Sequence, residues 1–118
     1  MSDLKKILIT KETCKSVWFM RQAGRYLPEF REIRLKNKNF IKLCLNSKLS
    51  SEITLQPIKR FNVDSAIIFS DILMVPFALG QDVTFIKNKG PQLGKFNLDT
   101  FQNNNMKIFS RRLSPVYK

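Results

Sequence analysis

Apolar and polar residues change period several times along this chain, and each change marks an element. Leu4, Ile7 and Leu8 around Lys5-Lys6 predict a short helix from Asp3 to Leu8. From Val17 to Leu27 aromatic and branched residues meet Gly24, a pattern that predicts an extended or irregular segment. Pro28 opens a helix carrying Phe30, Ile33 and Leu35, with Glu29 and Glu32 early and Arg34 and Lys36 late, the order the helix dipole favours. Asn37-Lys38-Asn39 breaks it, and a brief helix from Phe40 to Leu45 follows. Asn46 then caps a longer helix through Leu49, Ile53, Ile58 and Phe61, with a kink expected at Pro57.

Ala66-Ile67-Ile68-Phe69 is a continuous apolar run between Asp64 and Ser70-Asp71. It predicts a strand buried on both faces, as in a parallel sheet covered by helices. Val83 to Ile86 reads as one strand of a small hairpin returning near Gln92-Leu93. Asn97 to Asn105 is polar and asparagine-rich, and poor order is expected there. Leu113 to Lys118 reads as the opening of another helix, with Ser114 as its N-cap and Pro115 in the first helical position, so that the chain stops where that helix should begin.

The chain has 118 residues, 43% of them hydrophobic, enough for a core. A net charge of +12 without histidine would, in a complete protein, suggest nucleic acid or an anionic surface as partner. The basic residues are scattered through Lys5-Lys6, Lys36, Lys38, Lys59-Arg60, Lys87, Lys89 and Arg111-Arg112 without a stripe at helical spacing, which predicts a solvated surface. A small basic RNA-binding protein stays as the alternative class, although no RNP-type aromatic pattern, GXXG loop or zinc ligand set accompanies the charge. Cys14 and Cys44 lie outside any CxxC spacing, and Cys44 reads as a small buried hydrophobe. No apolar run reaches the length of a signal peptide or a membrane span, so a cytoplasmic, reduced protein without a membrane partner is expected.

Candidate chemistry centres on Arg21-Gln22-Ala23-Gly24-Arg25, set among Trp18, Phe19, Met20 and Tyr26. Each guanidinium is a permanent cation with donors in a planar fork, suited to carboxylates or phosphates. Ala23 and Gly24 let a ligand approach main-chain N–H groups. The competing reading is a surface loop whose arginines point into water. Asp71 directly follows the apolar run, and it reads either as a functional carboxylate at a strand's end or as an N-cap, a part Ser70 could also play.

The string from Val17-Trp18-Phe19-Met20-Arg21-Gln22-Ala23-Gly24-Arg25-Tyr26-Leu27 to Pro28-Glu29-Phe30-Arg31 closely resembles the N-terminal signature of the uroporphyrinogen decarboxylase family. A second block, Thr54-Leu55-Gln56-Pro57-Ile58 with Phe61, Asp64 and Ala66 to Leu73, is similar to that family in order and spacing. A third continues through Ala78-Leu79-Gly80, Val83-Thr84-Phe85 and Lys89-Gly90-Pro91. Ser16 departs from the proline that relatives usually carry before the Val-Trp pair.

The resemblance implies a single-domain (β/α)8 TIM barrel roughly three times as long. Residues 1–118 would then be an α/β, N-terminal fragment of one barrel domain, expected to be inactive and poorly folded when expressed alone. It further implies cofactor-independent loss of carbon dioxide from the acetates of uroporphyrinogen III, giving coproporphyrinogen III in heme biosynthesis, with no metal and with a homodimer as the full-length enzyme. Asp71 falls on the aspartate that receives the pyrrole N–H groups, and it would oppose the charge of a ring protonated on carbon. Arg21, Gln22, Ala23, Gly24 and Arg25 would hold rim carboxylates, and Arg34 matches a further arginine facing substrate, with a helix-end cation as its other reading. Arg21 or a bound water would deliver the proton. Met20 and Phe69 would line the cleft floor or simply pack, Trp18 is expected in the core, and Lys59-Arg60 in solvent. A cobalamin-linked methyltransferase, another barrel of the superfamily, would use zinc ligands that this sequence lacks.

Overall fold

Asparagine decides where three helices begin. Asn39, Asn46 and Asn97 each place Oδ1 to accept from the amide three residues on, of Lys42, Leu49 and Thr100, all at 3.0 Å. Each satisfies an amide that the first helical turn leaves without an intrahelical acceptor. The computed structural model describes residues 3–11, 13, 15–86, 89–103 and 106–118. Its elements run α1 (Asp3–Thr10), α2 (Pro28–Lys36), α3 (Phe40–Cys44), α4 (Ser47–Phe61), α5 (Met74–Ala78), β1 (Val83–Ile86), β2 (Gly90–Leu93), α6 (Leu98–Asn103) and α7 (Met106–Leu113), followed by a 3-10 turn over Ser114–Tyr117. Two compact units divide the chain: Met1–Lys36 with Ser51–Phe69, and Asn37–Ser50 with Ser70–Lys118.

The first unit buries Leu27, Phe30, Ile53, Pro57 and Val63. Pro57 lies inside α4, where it has no amide to offer the Ile53 carbonyl one turn back. After α4, Asn62 takes a φ of 53° with its amide on the Ile58 carbonyl, the left-handed helix end that asparagine tolerates. Two ring contacts join its elements: Tyr26 stacks on Phe61 with centroids 6.3 Å apart, and Phe30 meets Phe69 edge to face at 5.6 Å. The second unit buries Ile41, Leu43, Met74, Ala78 and Leu113, together with Cys44, the small hydrophobe expected there. In it α5 packs on α7, Arg112 donates to the Ala78 carbonyl at 3.2 Å, and β1 pairs antiparallel with β2 from Val83 opposite Leu93 to Ile86 opposite Gly90.

Several expectations need correction. Ala66 to Phe69 is not a strand: the Ile67 amide goes to a glutamine side chain and the Phe69 amide to Thr54 Oγ1, so side chains take the donors that a ladder would use. The run is not buried on both faces either, since Ile67 is 40% and Ile68 64% exposed. Trp18, expected in the core, is 54% exposed. Residues 98–103 form α6 rather than a poorly ordered stretch, because Asn97 caps it and Asp99 suits its first turn. Asn104 and Asn105, like Lys87 and Cys14, lie outside the described residues. Ser114 caps nothing, because α7 runs straight into the 3-10 turn through a helical Leu113, and Pro115 sits in that turn.

Lys59 and Arg60, near the end of α4, are exposed as expected, and Arg60 also clamps Glu29 at the start of α2 through Nε at 2.9 Å and Nη2 at 2.8 Å. That paired hydrogen bond, followed by the Glu29 amide, holds the Glu29 carboxyl below the usual glutamate range. A depressed folded pKa means the pair stabilises the fold above the unfolded pKa and stops doing so as pH falls through the folded one. Carboxyl titration followed by NMR should find Glu29 below the usual glutamate range, and Arg60→Met should return it there. An unshifted Glu29 in the parent chain would disprove the clamp in solution.

Candidate functional site

The arginine loop is built by pairing its carbonyls and leaving its amides. Tyr26 Oη donates to the Gln22 carbonyl, the Leu27 amide to the Gly24 carbonyl at 3.0 Å, and Arg31 Nη1 to the carbonyls of Arg25 and Tyr26 at 2.9 and 3.3 Å. The sequence explains each bond. Tyr26 reaches one helical turn back, and Arg31 lies on the first turns of α2, directly after the loop. Among the described residues nothing accepts from the amides of Ala23, Gly24 and Arg25, and neither Arg21 nor Arg25 has a carboxylate partner. Both arginine side chains are exposed. Four acceptors are therefore occupied within the protein while N–H groups and two cations remain available, an arrangement that favours an anion.

Gln22 behaves differently from its neighbours. It is 6% exposed, and both ends of its amide are bonded: Nε2 donates to the Ser65 carbonyl at 2.7 Å, and Oε1 accepts from the Ile67 amide at 2.8 Å. Its side chain thus bonds the protein's own backbone at both ends of the amide. Five residues earlier the same two segments are joined again, with the Val17 amide donating to Asp64 Oδ2 at 2.8 Å and the Asp64 amide to the Val17 carbonyl at 3.1 Å. Residues 17–22 and 64–67 thus run side by side in the same direction. Sequence reasoning placed Gln22 with the ligand contacts; only its place opposite 65–67, which no local pattern reveals, shows what its amide bonds.

Gly24 has no structural need to be glycine. Its φ is ordinary, and an added Cβ would lie 3.6 Å from Tyr26 Cδ1, an ordinary van der Waals contact. Met20, expected on a cleft floor, is 72% exposed, whereas Phe69 is partly buried against Phe30. Arg34 lies in the last turn of α2, where a cation suits the helix end, and it has an interaction within the protein.

Arg21 to Arg25 and Arg34 belong to the first unit, and Asp71 to the second. Asp71 Oδ1 accepts from the Leu73 amide at 2.8 Å and its carbonyl from the Met74 amide at 3.0 Å, so Asp71 opens the turn that leads into α5. This is an Asx turn and not an N-cap, since Leu73 caps α5 without a side-chain hydrogen bond. A cleft of about 420 Å³ in the second unit is lined by Leu79, Asp82, Lys95, Phe96 and Phe101, among others, and none of the predicted site residues lines it. Among the described residues no cluster of three or more His, Cys, Asp or Glu is placed to hold a metal ion. No helix among them is long and apolar enough to cross a membrane.

Comparison with known proteins agrees with the motif reading. Residues 10–118 match the protein-family model described as uroporphyrinogen decarboxylase (URO-D). Proteins named uroporphyrinogen decarboxylase from Chelativorans sp. (strain BNC1) and Brucella ovis are 48% and 50% identical over 102 residues, 86% of this chain. One of the same name from Novosphingobium aromaticivorans is 47% identical over 104 residues, 88% of this chain. The chain spans about 30% of the length of each of these relatives. With nearly its whole length matched, the chain belongs to the uroporphyrinogen decarboxylase family.

Proposed function

We propose that the chain is the N-terminal part of a uroporphyrinogen decarboxylase, a cytoplasmic carboxy-lyase that converts uroporphyrinogen III to coproporphyrinogen III and works as a homodimer when full length. The carrying observation is the arginine loop, with carbonyls bonded within the protein and with the amides of 23–25 and two guanidinium groups left for an anion. A substrate with an acetate and a propionate on every pyrrole is anionic at its rim and has N–H donors at its centre. Arg21, Arg25, the loop amides from Ala23 to Arg25 and, at the margin, Arg34 suit the rim. Asp71 suits the centre. The apolar residues left in solvent on the paired segments, among them Trp18, Phe19, Ile67 and Ile68, would be covered by the remaining strands and helices of that barrel. The basic RNA-binding alternative has no counterpart among the relatives.

The chemistry needs an electron sink and no cofactor. Protonation of a pyrrole on carbon makes the ring cationic. The bond to the acetate carboxylate then breaks, its electron pair flows into the ring, and carbon dioxide leaves. A proton taken up by the exposed methylene makes the methyl group, and loss of the first proton restores the pyrrole. A carboxylate at Asp71 facing the cation stabilises the charged stage most strongly where water is excluded.

The deciding experiment replaces the matching region of the Brucella ovis enzyme with residues 10–118 of this chain and measures carbon dioxide release from uroporphyrinogen III. Turnover is expected; a folded but inactive fusion would overturn the reading. In an active fusion, Asp71→Asn should leave folding intact and lower turnover on the order of a hundredfold, the usual scale for losing one preorganised electrostatic partner. Gly24→Ala should leave the melting temperature unchanged, because the methyl has room, and should raise KM about tenfold by standing where the ligand approaches the loop backbone. An unchanged KM would mean that the loop amides do not meet substrate.

A further inference from the structure

Gln22 lies between the two arginines in sequence, yet it is the one residue of Arg21 to Arg25 that is buried. Its two bonds reach Ser65 and Ile67, residues that alternate along an extended segment. A side-chain amide that donates to one peptide group and accepts from another two residues on copies the hydrogen bonding of a neighbouring strand. It therefore fixes both the register and the separation of the two segments. The loop's remaining hydrogen bonds, from Tyr26, Leu27 and Arg31, are all local and reach at most six residues along the chain, and the stack of Tyr26 on Phe61 is an apolar contact without hydrogen-bond direction. Gln22 alone in Arg21 to Arg25 is tied by hydrogen bonds to a distant segment.

We propose that Gln22 is a positioning residue whose side-chain amide anchors the arginine loop to residues 65–67 and thereby sets where Arg21 and Arg25 present their guanidinium groups to a polycarboxylate ligand. The part concerning the ligand rests on the reading given under Proposed function. The anchoring stands on geometry alone. Glu at this position would keep an acceptor for the Ile67 amide and set a carboxylate oxygen against the Ser65 carbonyl, whereas Met would keep the length and lose both bonds.

Two measurements separate the parts. In the fusion described above, whether or not it turns over, the Ile67 amide should exchange with deuterium slowly, and Gln22→Met should speed that exchange together with tryptic cleavage after Arg21 and Arg25, while cleavage after Lys95 stays as in the unsubstituted fusion. An unprotected Ile67 amide in the unsubstituted fusion, or the same cleavage pattern in the variant, overturns the anchor. In the same fusion, Gln22→Met should raise KM for uroporphyrinogen III about tenfold or more with a smaller change in kcat, as expected when binding groups are displaced by a fraction of an ångström to an ångström. Gln22→Glu should fall between parent and Met. A KM within about twofold of the parent in both variants overturns the positioning role, taking twofold as too small to reflect a lost contact. If the unsubstituted fusion has no activity, the functional reading fails, and exchange and proteolysis still decide the anchor.

Discussion

A side chain stands in for a β-ladder in this protein, and the arrangement of the first unit follows from that substitution. Residues 17–22 and 64–67 travel together, held at one end by the reciprocal pair of Val17 and Asp64 and at the other by the Gln22 amide. Each such bond contributes about 1 kcal/mol net, and breaking one partner costs more, about 1–3 kcal/mol, where the other is left buried. Four bonds of this kind outweigh the surface clamp of Arg60 on Glu29, which solvent screens. The arginine loop starts at the Gln22 end of this join. Its position is therefore inherited from a contact forty-odd residues away in sequence and not from the loop itself.

The same join explains why apolar residues stay in solvent. Val17, Trp18, Phe19, Ile67 and Ile68 have the composition of buried parallel strands, yet all are exposed. In a parallel sheet the strands are covered on both faces, and the covering elements come from the crossover helices. Gln56 is buried, and among the described residues neither its Oε1 nor its Nε2 has a hydrogen-bond partner. In the barrel proposed above, the exposed apolar segments would be covered by its further elements.

Local signals in the sequence carried most of the helices. Asn39, Asn46 and Pro28 mark helix starts because capping and proline geometry act within one turn, and α3, α4 and α2 begin where those residues say. The hairpin of β1 and β2 was legible from the spacing of Gly80, Val83 and Leu93. Misreadings came where the deciding contact is distant. Ala66 to Phe69 has strand composition, but Gln22 and Thr54 intercept its amides; Asn97 reads as disorder until its side chain is seen on Thr100. At the site, residue types identified Arg21, Arg25 and Gly24 as a group, and the structure adds the bonded carbonyls beside amides that have no acceptor among the described residues. Gln22 escaped, because its role is written in Ser65 and Ile67.

Placing a buried neutral amide between two exposed cations has a physical logic. Arg21 and Arg25 repel one another, and an unanchored loop would relax by separating them until a ligand arrived. Ordering such a loop on binding costs conformational entropy for every residue fixed. Anchoring at Gln22, between the charges, meets that cost during folding and leaves the guanidinium groups displayed without touching their charge or their solvation. A charged anchor at this position would have paired with one arginine and removed it from service, and an apolar one would have fixed neither register nor separation. Glutamine supplies a donor and an acceptor in one rigid, neutral plane, and the geometry at Ser65 and Ile67 uses both.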